Sequence, residues 1–197
     1  MGICEFGVIT KADGSARYIT DKSDAICAVY GPIEVKLSKE LIDRSSIEVQ
    51  VYPKSGNTGP PERLVETIIR TTLDSVVLTK YYPRSAISVI VQLKHDFDLS
   101  CVLNSVCLAL LDAAIPMKTM FSAISVSKSD LDNSCLNDST MNFVLDRNYK
   151  VLTSYSNGIW KEDELKLALT FATKKAESIF EFYKSSIERK LLKEERS

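Results

Sequence analysis

LSCVLNSVCLALLDAAIPMKTMFSAISV, residues 99–126, decides the fold. Val102, Leu103, Val106, Cys107, Leu110 and Leu111 recur at helical spacing, and Ala109, Ala113 and Ala114 fill the gaps with small side chains. A helix that is apolar on nearly every side is covered on more than one face. Ile115-Pro116 ends it, because the residue before a proline is steered out of the helical region. A short strand is expected at 122–126. The rest of the chain has to wall in this helix.

Outward from it, the pattern alternates between strands and helices. Residues 87–93 (ISVIVQL) form a β-branched run suited to a central strand. Tyr82-Pro83-Arg84 separates that run from an amphipathic helix that starts with Pro61 in its first turn. The stripe of that helix is Leu64, Val65, Ile68, Ile69, Leu73, Val76 and Val77, with Glu62, Arg63, Glu66, Arg70 and Asp74 off it. Residues 53–61 (PKSGNTGPP) are loop by composition. Residues 46–52 alternate strictly, with Ile47, Val49 and Val51 on one face, which predicts a half-buried antiparallel strand. Nearer the N-terminus, strands are expected at 3–9, 16–20 and 24–30, the last ending at Gly31-Pro32, with 33–37 continuing extended. Asp13-Gly14 is a turn dipeptide.

Beyond the central helix, 128–139 is polar and turn-rich. Residues 141–145 and 151–155 form a hairpin around Asp146-Arg147-Asn148. From Lys161 onward one long helix is expected, acidic at its start (Glu162, Asp163, Glu164) and basic at its end, as the helix dipole prefers. Its inward face reads Leu165, Leu169, Ala172, Ala176, Ile179, Phe180, Tyr183 and Ile187. The order of elements implies an α+β fold with helices packed on mixed β-sheets.

The totals narrow the function. The chain has 197 residues, 45% of them hydrophobic and 26% charged, which is a globular balance rather than a disordered one. Its formal net charge is −1, which excludes a general nucleic-acid coat but leaves room for a local basic strip. No apolar run reaches the ~18 residues of a membrane span. MGICEF lacks a basic region followed by an apolar core, so no signal peptide is read, and Phe6 stands where myristoylation wants Ser or Thr. The cysteines, Cys4, Cys27, Cys101, Cys107 and Cys135, are odd in number and include no CxxC pair, and His95 is the only histidine. That argues against zinc or a disulfide framework, and for reduced thiols in a cytosolic or nuclear protein.

GSARYITDKSDAICAVYGP (14–32), YPRSAISVIVQL (82–93), LNSVCLALLDAAIPM (103–117) and AISV (123–126) together resemble, in order, the sequence blocks of the RNase PH family. GPIEVKLSKEL (31–41) and FYKSSIERK (182–190) look most like one eukaryotic branch, the small RNase PH-like subunits of the RNA exosome ring. The resemblance implies duplicated strand-helix units forming one RNase PH-like domain over 1–197. It implies assembly with other RNase PH-like subunits into a ring, capped by RNA-binding subunits, around a pore for single-stranded RNA. It places such a chain in the nucleus, the nucleolus included, and the cytoplasm, in rRNA processing and RNA degradation, with no membrane association, cofactor or resident metal.

Phosphorolysis needs cations to hold phosphate and carboxylates to hold a metal or move a proton. By resemblance, the arginine of a GTRTAS-like stretch before the central helix corresponds to Leu99, which cannot bind phosphate. A second family arginine falls near Thr67, with Arg63 and Arg70 close by. Two family aspartates fall at Ser134 and Thr140, with Asp132 and Asp138 nearby. The expectation is a site without catalytic residues. The alternatives are a metal-dependent ribonuclease, alone or as a homodimer, that uses Asp132 or Asp138, and a protein-binding adaptor. His95, Asp96 and Ser100 do not make a nucleophile set, because adjacent residues at a strand end point apart. Asp130 and Asp132 lack the further ligands a cation needs. RNA contact is expected from Lys36, Lys39 and Arg44, which the resemblance places in a loop facing the pore. Glu34, Glu40 and Asp43 interleave with them, as in an ordinary solvated loop.

Overall fold

The computed structural model describes residues 2–21, 23–94, 98–131 and 139–195. They form two compact units, Met1–Met120 and Phe121–Ser197.

The first unit is a five-stranded sheet with two helices. Its strands are β1 (Ile3–Phe6), β2 (Gly14–Ile19), β3 (Asp24–Glu34), β4 (Ser46–Tyr52) and β5 (Ser85–Leu93), in the order β1-β2-β3-β5-β4. Helix α1 (Pro60–Val76) packs on β4, and α2 (Leu99–Asp112) packs on β2 and β3. Register places Gly14, Ala16, Tyr18, Ala25, Cys27, Val29, Val89, Val91, Val49 and Val51 on one face of the sheet. The apolar side chains among these are buried, while Cys4 and Phe6 of the edge strand β1, on the same face, are half-buried. α2 is the all-round apolar helix expected, since Leu99 through Leu110 are buried without exception.

Four local expectations are corrected. β4 pairs with β5 in parallel, not antiparallel. Its alternation is as read, with Ile47, Val49 and Val51 buried, but the connection to β5 runs through α1, and a crossover of that length joins parallel strands. β1 stops at Phe6 because Gly7 turns the chain at φ +66. β3 does not end at Gly31-Pro32 but runs on to Glu34, with a register shift between Tyr30 and Ile33 that absorbs the irregular residues. A Cβ on Gly31 would meet the Ala86 carbonyl oxygen at 3.0 Å, so the bulge also needs a residue without a side chain. On α1 the stripe is buried as read, except that Leu64 is exposed and Thr72 is buried in addition.

The second unit is the antiparallel sheet β6 (Phe121–Ser127), β7 (Thr140–Asp146) and β8 (Val151–Asn157), with the short α3 (Lys128–Leu131) and the long α4 (Glu162–Glu194). α4 lies on β6 and β7. Its buried contacts are Ala168, Ala172 and Ala176, one per turn, packed against Ile124, Val126, Met141, Phe143 and Leu145. Leu165, expected on this face, is exposed, and Ala168 takes its place. Small side chains let the helix backbone approach the sheet closely, so Leu169, Phe171, Ile179 and Phe180 at the edge of the stripe are only half covered, whereas Tyr183, further along the helix, is fully buried. The start of α4 is held by Lys128, whose Nζ lies 2.8 Å from Glu164 Oε2 and 5.3 Å from the centre of the Trp160 ring. The Lys128 hydrogen bond comes first among the causes that hold the Glu164 carboxyl below its ordinary range.

No helix among the described residues is long and apolar enough to cross a membrane. Cys4, Cys27, Cys101 and Cys107 are free thiols, and Cys135 lies outside the described residues.

Candidate functional site

The N-terminus of α2, where the family resemblance looks for a phosphate-binding arginine, is built from Asp98, Leu99 and Ser100. Asp98 has extended backbone angles and caps the helix. Its Oδ1 accepts from the Ser100 backbone N–H at 3.1 Å, and its Oδ2 accepts from the Ser100 hydroxyl at 2.7 Å. Leu99 is 4% exposed and packs into the core of the unit. A free helix N-terminus attracts anions because its N–H groups and dipole are unmatched. Here a carboxylate of the chain itself already occupies that position. One turn on, Cys101 donates through its Sγ to the Tyr18 carbonyl at 3.4 Å. Burial first, then the nearby Asp98 charge, pushes its thiol up to about 12, so it stays protonated and is no nucleophile.

The other positions named from the sequence are scattered. Thr67 is exposed on α1, and its hydroxyl donates to the Arg63 carbonyl at 2.9 Å. Thr140 opens β7 in the second unit, opposite Ser127 and Asn157. Asp130 lies in α3. His95, Asp96, Asp132, Ser134 and Asp138 lie outside the described residues. No group of three or more His, Cys, Asp or Glu among the described residues is placed to hold a metal.

Lys36, Lys39 and Arg44 sit in the segment between β3 and β4, which is pinned at several points. Lys39 N–H donates to the Lys36 carbonyl in a short 3-10 turn, Leu37–Lys39. Arg84 N–H donates to the Leu41 carbonyl, and the Arg84 guanidinium lies 3.7 Å from Glu40. Ser45 N–H donates to the Thr79 carbonyl at 2.9 Å. The structure brings two of the three cations together. Lys39 and Arg44 line one cleft of about 390 Å³, together with Ser45, Glu48, Arg70 and Asp74. Lys36 is exposed outside it. Within the cleft Lys39 Nζ lies 2.9 Å from Glu48 Oε1. Sequence reading missed Ser45 as a cleft residue and gave Arg70 no part in RNA contact. Arg70 comes from α1, distant in sequence, and only the packing of α1 on β4 brings it to Arg44.

A family model described as "3′ exoribonuclease family, domain 1" (RNase PH) matches residues 3–116. The chain belongs to the RNase PH family. Within that family it is 35% identical over 123 residues to the "Exosome complex exonuclease RRP46 homolog" of Arabidopsis thaliana, a match covering 61% of this chain and 52% of that protein. It is 34% identical over 122 residues to the "Exosome complex component rrp46" of Schizosaccharomyces pombe, covering 60% of this chain and 54% of that one. The chain thus spans about half the length of these curated relatives. The crystal structure of rice (Oryza sativa) Rrp46 superposes with a TM-score of 0.86 at 26% identity, covering 95% of this chain and 94% of that one. The α+β, RNase PH-like fold expected from the sequence is the fold of the chain.

Proposed function

We propose that the chain is a structural, RNA-guiding subunit of an RNA exosome core ring, of the RRP46 type, without phosphorolytic activity of its own. The observation that carries the second half of this reading is the Asp98 cap. A carboxylate bonded to Ser100 at 2.7 and 3.1 Å, beside a buried Leu99, repels the anion that phosphorolysis must bind. The first half rests on the RRP46 relatives in plants and yeasts and on the superposition with rice Rrp46. In this reading both units form one RNase PH-like domain. The partners are other RNase PH-like ring subunits and the cap subunits, and single-stranded RNA passes along Lys36, Lys39 and Arg44. The chain works in rRNA maturation and RNA turnover in the nucleus, nucleolus and cytoplasm.

The test of the catalytic half is a 3′-end trimming assay on labelled single-stranded RNA, with and without inorganic phosphate. The purified chain should release no nucleoside diphosphate in either condition. Phosphate-dependent trimming that disappears in Asp98→Ala or Leu99→Ala would overturn the proposal.

A further inference from the structure

The cleft between the start of β4 and the second half of α1 is more than a loop surface. Its volume, about 390 Å³, lies in the range of small-ligand sites. Lys39 is matched by Glu48, but Arg44 and Arg70 carry no ion pair among the described residues. Asp74, four residues after Arg70 and so on the same side of α1, also carries none. Ser45 is 2% exposed, and its hydroxyl is buried with no hydrogen-bond partner. Buried hydroxyls are nearly always paired; this one is covered as it stands and would meet a ligand atom in the cleft by turning about χ1. Two arginine forks suit a phosphodiester, which they grip through paired N–H donors. Asp74 beside them suits a hydroxyl donor instead, and a ribonucleotide carries both groups, its 2′-hydroxyl being what separates RNA from DNA.

We propose that this cleft binds one ribonucleotide of single-stranded RNA, its phosphate on Arg44 and Arg70 with the Ser45 hydroxyl, and its 2′-hydroxyl on Asp74. The proposal rests on the RNA-guiding reading above and adds Ser45, Arg70 and Asp74 to it.

The experiment is fluorescence anisotropy of the full chain with a labelled oligouridylate of about ten nucleotides and its deoxy counterpart, over a salt series. Arg44→Ala and Arg70→Ala should each weaken RNA binding about tenfold. Each should also lower the slope of log K against log salt by about 0.7, the share of one phosphate contact on a single strand. Arg70→Lys, which keeps the charge, should keep the slope. The wild type should prefer RNA to DNA, and Asp74→Ala should remove that preference. Lys36→Ala reports on the loop outside the cleft. If the wild type binds RNA and Lys36→Ala weakens it while both arginine variants do not, the cleft proposal falls and the RNA-guiding reading stands. If the wild type binds no RNA, both fall. Equal binding of RNA and DNA, displaced by inorganic phosphate alone, makes the cleft a plain anion site and overturns the proposal. So does Arg70→Ala blocking assembly with another ring subunit at unchanged RNA affinity, which makes it a protein contact.

Discussion

Gly14→Ala should destabilise the chain by about 3 kcal/mol, a cost at the upper end for overpacking a filled core. Gly14 opens β2 opposite Val29, where the end of α2 crosses the sheet. A Cβ built there would lie 2.2 Å from the Ala113 backbone nitrogen and 2.6 Å from its Cα and Cβ. These are main-chain atoms and a methyl stub, not the far end of a flexible side chain. α2 cannot step aside cheaply, because it is buried along Leu99 to Leu110. Urea unfolding followed by far-UV circular dichroism measures the loss, and the melting temperature should fall by about 6–12 °C. Gly7→Ala is the control. That site has φ +66 and nothing within 4 Å of the added methyl, so it carries only the ~1–2 kcal/mol of the left-handed conformation. Equal losses at the two positions would mean that α2 does not sit against Gly14 as described.

Arg17→Met should cost about 3 kcal/mol, the low end for breaking a buried pair, because Arg17 itself is partly exposed. The guanidinium on β2 reaches diagonally to Asp24 on β3, with Nε 3.0 Å from Oδ1 and Nη2 2.7 Å from Oδ2. It also reaches across to Glu5 on β1 at 3.3 Å. The side chain of Asp24 is 5% exposed, that of Glu5 53%. The loss therefore comes from the Asp24 contact, and the Glu5 contact, wet and screened, adds little. Removing Arg17 leaves the Asp24 carboxylate desolvated without its fork of donors. The double variant Arg17→Met with Asp24→Asn should recover part of the loss, since it removes the buried charge as well. Chemical denaturation of the two variants decides this, and a double variant that is no more stable than Arg17→Met would contradict the account.

Much of this architecture is legible in the residues, and its limits have physical causes. The all-round apolar run at 99–111 reads as a buried helix because burial on every side leaves no polar stripe. The alternation at 46–52 tells which side chains face inward but not which way the neighbour runs. Strand direction is set by the connection, and here α1 lies between β4 and β5. The misplacement of Leu165 has another cause. Hydrophobicity ranks leucine above alanine, whereas close helix-to-sheet packing selects Ala168, Ala172 and Ala176. The chain's running past Gly31 in β3 was hidden because Gly-Pro is a stop signal in most contexts and a bulge in this one.

The site was legible in a different measure. That a leucine, Leu99, stands where the family resemblance expects a phosphate-binding arginine is read from the sequence blocks alone. The Asp98 cap is visible in principle as well, since an Asp directly before a helix is a standard cap signal. The meeting of Arg44, Ser45 and Arg70 is not, because it depends on how α1 is laid across β4. Nor does a sequence reveal that the Ser45 hydroxyl is left without a partner, since that is a property of packing.

The central claim, a subunit of a ring rather than an enzyme on its own, is tested most directly by recovering a tagged copy of the chain from its own cells and measuring the composition and native mass of what comes with it. The account predicts a stoichiometric assembly of different RNase PH-like proteins with RNA-binding cap proteins. A homodimer or a bare monomer, free of such partners, would contradict it.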